Sequence, residues 1–233
     1  VDFSGEWDFS KDCSDWQTVR APHTCNASDG MSGSMYRGKT YYRKALFVGR
    51  EQAAIDFVLG FHAAGQASEL YVNGHLCSVY PGGYTPNLVD ISPYLCQGNN
   101  ELLIVCDNTP SEERIPVSAD FNFNNGLHEK VFLCRVGRAS LDPQAYGVDR
   151  MHVTPEEVSR QAAFTVHTAV NNRSGCAIHA AVAVAVYDAQ GNAVAGETIP
   201  VEVPAHTVQD VSYTGQITEP PLWDGIQDPY RYT

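Results

Sequence analysis

Leu70-Tyr71-Val72-Asn73-Gly74-His75, followed shortly by Pro81-Gly82-Gly83-Tyr84-Thr85, is the stretch whose reading decides the fold. Asn73-Gly74 lies between an apolar-rich run and a second short one, Leu76 to Tyr80. A two-residue type I′ turn needs positive φ at both central positions, and Asn-Gly meets that need with the least strain. The pair therefore predicts a tight β-hairpin. Gly82-Gly83 then sets bare backbone beside the Tyr84 ring, a surface on which a flat ligand can lie.

The same two-residue rhythm extends outward from the hairpin. Ile55, Phe57 and Leu59 alternate along one run, Leu102 to Cys106 is a short apolar run ending at Asp107-Asn108, and Val131 to Val136 forms another. Apolar residues nowhere repeat at helical spacing over a helix length. Many short strands separated by turn signals predict an all-β chain built as a sandwich or jelly roll. A composition change near residues 138 to 142 divides it into 1–139 and 140–233. Beyond that point Phe164 to His167, Val182 to Tyr187, Ile199 to Val203 and Val208 to Tyr213 suit a seven-stranded immunoglobulin-like β-sandwich, with a hairpin turn at Asp188 to Asn192. The run from Glu219 to Tyr232 is too rich in large apolar residues to be a frayed tail. It should pack against something, and it reads as a cut inside a longer protein.

Charge limits the partners. The 233 residues carry 27 acidic against 15 basic side chains, a net charge of −12, so nucleic acid and anionic membrane surfaces are expected to be repelled. The longest apolar stretch, Ala180 to Tyr187, is far short of the roughly 20 residues of a transmembrane helix. No signal peptide is present, and a periplasmic or secreted setting, with the signal removed, is preferred to a cytoplasmic one. Seven cysteines, an odd number, leave at least one thiol unpaired; their wide scatter disfavours zinc and suggests small buried residues. No cofactor is expected. No metal site is assigned, because the loop acids Asp29, Asp90 and Asp107 lack regular spacing.

Five segments together carry a family resemblance. Pro22-His23-Thr24-Cys25-Asn26-Ala27 is similar to a P-H-T-W-N-A motif, with Cys25 where Trp is usual. Tyr36-Arg37-Gly38 through Lys44 resembles a G-x-x-Y-R-K strand entry, and Tyr71 to His75 with Gly82-Gly83-Tyr84 resembles Y-V-N-G … G-G-Y-T. Asp90 to Leu95, Gly98 to Asn100 and Val105 to Asn108 continue the order, and Pro221-Leu222-Trp223 … Pro229-Tyr230 closes it. In order and spacing the chain resembles the N-terminal part of glycoside hydrolase family 2, the β-galactosidase and β-glucuronidase family, and most nearly a β-galactosidase. The resemblance implies a jelly-roll sugar-binding domain over 1–139 and an immunoglobulin-like domain over 140–233. It further implies a following TIM barrel that carries both catalytic glutamates, a terminal β-galactoside as substrate, and a parent able to form a homo-oligomer. The segment Ser118 to Val131 departs from the family pattern: Asn125 replaces a Gly, His128 a Tyr, and Glu129-Lys130 an Arg-Asp pair.

Retaining glycoside hydrolysis needs two carboxyl groups about 5–5.5 Å apart. Glu112-Glu113 reads as a solvated loop and Glu156-Glu157 as a turn or strand edge, so no catalytic residue is assigned and the fragment alone is expected to be inactive. Asp120 is the leading substrate-binding candidate. In the enzymes it resembles, the acid of this loop reaches the sugar in the barrel's pocket, and a carboxylate accepts two hydroxyl hydrogen bonds at once. The alternative for Asp120 is a turn-capping role. Asn26 and His23 are further candidates, with turn structure as the competing reading. Phe121 and Phe123 alternate and should point to one side. A free-standing carbohydrate-binding module and a purely structural scaffold are the alternative functions.

Overall fold

A computed structural model describes residues 1–29, 34–50, 55–114, 117–119, 121–143 and 151–233, apart from the side chain of Glu157. The chain is all-β and divides into two compact units, Val1–Gly137 and Arg138–Thr233.

The first unit has nine strands among its described residues: β1 (Gly5–Ser10), β2 (Gln17–Ala21), β3 (Lys39–Val48), β4 (Asp56–Phe61), β5 (Ala67–Val72), β6 (His75–Tyr80), β7 (Asn87–Asp90), β8 (Gly98–Asp107) and β9 (Val131–Val136). They form a six-stranded sheet, β2-β1-β3-β8-β5-β6, and a three-stranded sheet, β7-β4-β9, with every pairing antiparallel. Alternation along β5 buries Ser68, Leu70 and Val72 and leaves the residues between them part-exposed. β4 is buried almost throughout, as befits the central strand of the smaller sheet. One core joins both sheets through Trp7, Tyr42, Leu59, Phe61, Leu70, Ile104 and Leu127. This is a jelly-roll β-sandwich.

The Asn73-Gly74 turn has φ of 50° and 79°, the left-handed values that the sequence demands. Its asparagine is also a staple. The Asn73 amide donates to Tyr94 O at 2.9 Å and to Asn100 Oδ1 at 2.8 Å, and its oxygen accepts the Glu101 N–H. Gly83 is required by close approach: a Cβ there would lie 2.1 Å from Gly65 O and 2.6 Å from Gln66 Cα.

The second unit has six described strands, one fewer than expected: β10 (Ala139–Leu141), β11 (Met151–Val158), β12 (Gln161–Asn172), β13 (Ile178–Tyr187), β14 (Ala193–Val203) and β15 (Thr207–Thr218). β12 pairs with β10 and β11 along one edge and with β15 along the other; β13 and β14 form the second layer. Alternate residues of β13 and β14 cover Val170 and Val211, giving an immunoglobulin-like sandwich with a small core. Glu156 lies in edge strand β11, beside a bulge, and bonds Thr165. The final segment folds back onto its own unit through paired Tyr187 and Thr233 backbone bonds of 2.7 and 3.1 Å. It helps enclose an apolar cavity of about 360 Å³ with Phe164 and Tyr230, while Trp223 and Ile226 stay exposed.

The cysteines differ from expectation. Only Cys106 is buried; Cys13, Cys96 and Cys176 are exposed, and no two are joined. The three exposed thiols lie in loops, whereas Cys25 and Cys77 pack partly against the core that covers Cys106.

The Gly83 contact yields a direct test. Gly83→Ala must displace backbone rather than a flexible side chain, so it should destabilise the first unit by about 2 kcal/mol or more, read as a lowered thermal midpoint.

Candidate functional site

Two motifs far apart in sequence are laid side by side at one end of the jelly roll. His23 N–H donates to Leu127 O at 2.7 Å and Cys25 N–H to Asn125 O at 2.9 Å, so residues 23–25 run along residues 125–127. Gly126 makes this approach possible. With φ of 128°, it sits where a Cβ would lie 2.3 Å from the Tyr42 hydroxyl and 2.5 Å from His23 O.

Three fully buried asparagines hold the arrangement. Asn26 donates to Phe123 O at 2.9 Å and Tyr36 O at 3.2 Å, and accepts the Asn125 N–H at 3.0 Å. Asn108 donates to the same two carbonyls and accepts from Gly38 N–H at 2.8 Å and from the Asn125 amide at 3.2 Å. Asn125 also donates to Gly38 O at 2.7 Å and accepts from Thr40 Oγ1. A carboxamide pairs with the N–H and C=O of turns that have no ladder partner, which is why this residue type recurs here.

The sequence candidates therefore separate. Asp120 lies outside the described residues; the clamped segment begins at Phe123. Asn26 is 1% exposed with both amide hydrogens engaged, so it secures the loop and does not face a sugar. His23 is half-buried with Nδ1 2.8 Å from the Tyr42 hydroxyl and its ring edge-on to Phe9, again a clamp. Asn26 spends its polar atoms on buried neighbours, whereas for His23 the Nδ1 atom is the one so engaged. Phe121 and Phe123 lie together, ring centroids 5.3 Å apart, but only Phe121 is exposed, at 54%.

Two residues not weighed as ligand contacts, Arg37 and His128, join Tyr84 near this segment. Arg37 donates from Nε to Asn108 O at 2.6 Å and from Nη2 to Gln66 Oε1 at 3.1 Å, and lies over the Phe123 ring at 4.2 Å. Tyr84 is 56% exposed and meets the His128 ring edge-on at 5.5 Å. His128 Nε2 is buried without a hydrogen-bond partner, and burial holds the imidazole below its ordinary pKa, against the opposing pull of Glu129. No sequence signal marks the roles of Arg37 and His128, since each depends on neighbours distant along the chain.

Comparisons with known proteins agree with this geometry. Residues 2–136 match the family model for the sugar binding domain of glycosyl hydrolases family 2. The chain is 26% identical over 224 residues to a β-glucuronidase of Bacteroides fragilis, covering 94% of this chain and 32% of that protein. It is 29% identical over 232 residues to a β-galactosidase of Bacteroides ovatus, covering 94% of this chain and 26% of that one. The chain thus spans about a quarter to a third of the curated relatives it matches. The crystal structure of a Bacteroides uniformis β-glucuronidase shares the fold, with a TM-score of 0.93 at 24% identity over 100% of this chain and 29% of that one.

Two measurements test the clamp. Asn108→Ala strands buried backbone groups and should lower the stability of the first unit by about 3 kcal/mol in denaturant unfolding. His128 and His23 both titrate below the ordinary value of 6.5 in the fold, so the unfolded chain takes up protons first. Their contribution is complete above pH 6.5 and is lost as pH falls through the lowered values. The thermal midpoint should drop from pH 7 to pH 5, and His128→Gln should flatten that slope.

Proposed function

Because the chain belongs to glycoside hydrolase family 2, whose sugar-binding domain occupies residues 2–136, we propose that it is the non-catalytic N-terminal part of a retaining β-glycosidase. Its two β units position a C-terminal TIM barrel, and the loop carrying Asp120 forms one wall of the sugar pocket. The curated relatives extend well beyond the matched region, which supports a further catalytic part. The substrate is a terminal β-galactoside or β-glucuronide, the two activities named among those relatives.

The observation that carries the reading is the hydrogen-bonded segment 123–127, which begins three positions after Asp120. A wall of a sugar pocket has to hold its polar groups in place without help from the ligand, because ordering a loose loop on binding costs affinity. Here residues 123 to 127 are tied to Asn26, Asn108, His23 and Gly65 by hydrogen bonds of 2.7–3.0 Å. They leave an exposed ring, Phe121, at the rim.

Asp120→Ala in the full-length enzyme is expected to lower kcat/KM by about 10- to 100-fold, the value of one or two hydrogen bonds to a carboxylate, with the thermal midpoint unchanged. Unchanged kcat and KM would exclude the pocket-wall role. Tight calorimetric binding of a simple β-galactoside to the isolated 233-residue chain would favour a free-standing module instead.

A further inference from the structure

Arg37 is a guanidinium fixed on one side and unpaired on the other. Of its five N–H donors, one on Nε goes to Asn108 O and one on Nη2 to Gln66 Oε1. Three remain without an acceptor among the described residues. The other first-unit cations with recorded polar partners are answered differently. Lys39 meets Glu69, Arg43 meets Asp8, Arg114 meets Asp107, and the Lys44 ammonium caps the carbonyls of Phe3 and Ser4. Among these, Arg37 alone has its plane stacked on a buried ring, Phe123, and its remaining donors open. That is unusual in a chain with a net charge of −12, where a carboxylate partner is abundant.

The surroundings suit a sugar. Phe123 is three positions after Asp120, its ring touches that of the exposed Phe121, and Tyr84 is exposed as well. A planar fork with parallel donors fits a carboxylate with two hydrogen bonds, and partial desolvation strengthens each of them. A neutral hexose offers a hydroxymethyl group in place of that carboxylate, with no charge and one fewer strong acceptor.

We propose that Arg37 is a specificity-determining residue that reads the carboxylate of a uronic acid, so that this wall favours an acidic sugar over its neutral counterpart. The inference rests on the pocket-wall reading above. Rigidity is what makes Arg37 selective: the bonds to Asn108 and Gln66 fix the guanidinium before ligand arrives, so little side-chain freedom is lost on contact.

The test compares p-nitrophenyl β-D-glucuronide with p-nitrophenyl β-D-galactoside on the full-length enzyme and its Arg37→Met, Arg37→Lys and Asp120→Ala variants. Arg37→Met should lower kcat/KM for the glucuronide about 10-fold or more beyond any loss for the galactoside. Arg37→Lys, which keeps the charge but not the fork, should recover part of that difference. Equal losses on both substrates, or none, overturn the assignment and leave Arg37 a support for the Phe123 loop. If Arg37→Met does not fold, the Arg37→Lys ratio decides alone, and an unchanged ratio rejects the proposal. A wild-type enzyme that neither cleaves the glucuronide nor is inhibited by free glucuronate also rejects it. Asp120→Ala reports separately: no effect on either substrate removes the pocket wall while leaving the Arg37 ratio to stand or fall by itself.

Discussion

The buried side-chain carboxamide, placed where strands end, is the interaction on which the rest of the structure depends. Strands satisfy their own backbone groups, but the loops that leave them do not, and a loop folded into the sandwich end carries N–H and C=O groups out of reach of water. Asn26, Asn108 and Asn125 answer those groups with amide donors and acceptors and answer one another through the Asn108–Asn125 pair. Asn100 does the same at the hairpin end, donating to Leu46 O, Cys96 O and Gly98 O, and Asn172 in the second unit donates to Cys176 O, Val203 O and Pro204 O. Leaving one such group unpaired costs about 1–3 kcal/mol, so a network of this kind is held whole or not at all.

Rigidity of that origin is what a pocket wall needs. Functional groups usually sit on loops because loops can be shaped freely, and their difficulty is disorder. Here residues 123 to 127 are tied down by hydrogen bonds without joining a sheet. Phe123 and Leu127 pack into the interior, and Phe121 stays outside. Arg37 gains its orientation from the same network, since its Nε bond ends on Asn108. Scaffold and rim are therefore one construction, and a change to a buried asparagine should be felt at Arg37 and Phe123.

Much of the fold was legible because its signals are local. The Asn73-Gly74 turn needs only two adjacent residues with left-handed backbone, and alternation in β5 and β13 reports one face of a sheet at a time. The turn at Asp188 to Asn192 closes through its own aspartate, which accepts the Gln190 and Asn192 N–H groups. The candidate site was legible only in outline. The motif around His23 and Asn26 and the one following Ser118 each stood out, yet nothing local shows that they lie against each other, or that Asn26 faces inward. Phe121 and Phe123 share a side by alternation, as expected, but the depth that separates an exposed ring from a buried one is set by what packs above them.

By itself, then, the sequence determined the strands, their turns, the all-β class and the family, because each follows from periodicity, backbone permissiveness and ordered motifs along the chain. The tertiary structure alone decided which polar residues became clamps, which ring reached solvent and which cation kept donors without an acceptor among the described residues. Those outcomes depend on burial and on partners up to 99 positions away, as between Asn26 and Asn125. A side chain's chemistry names the bonds it can make; only the packed neighbours decide which of them remain open.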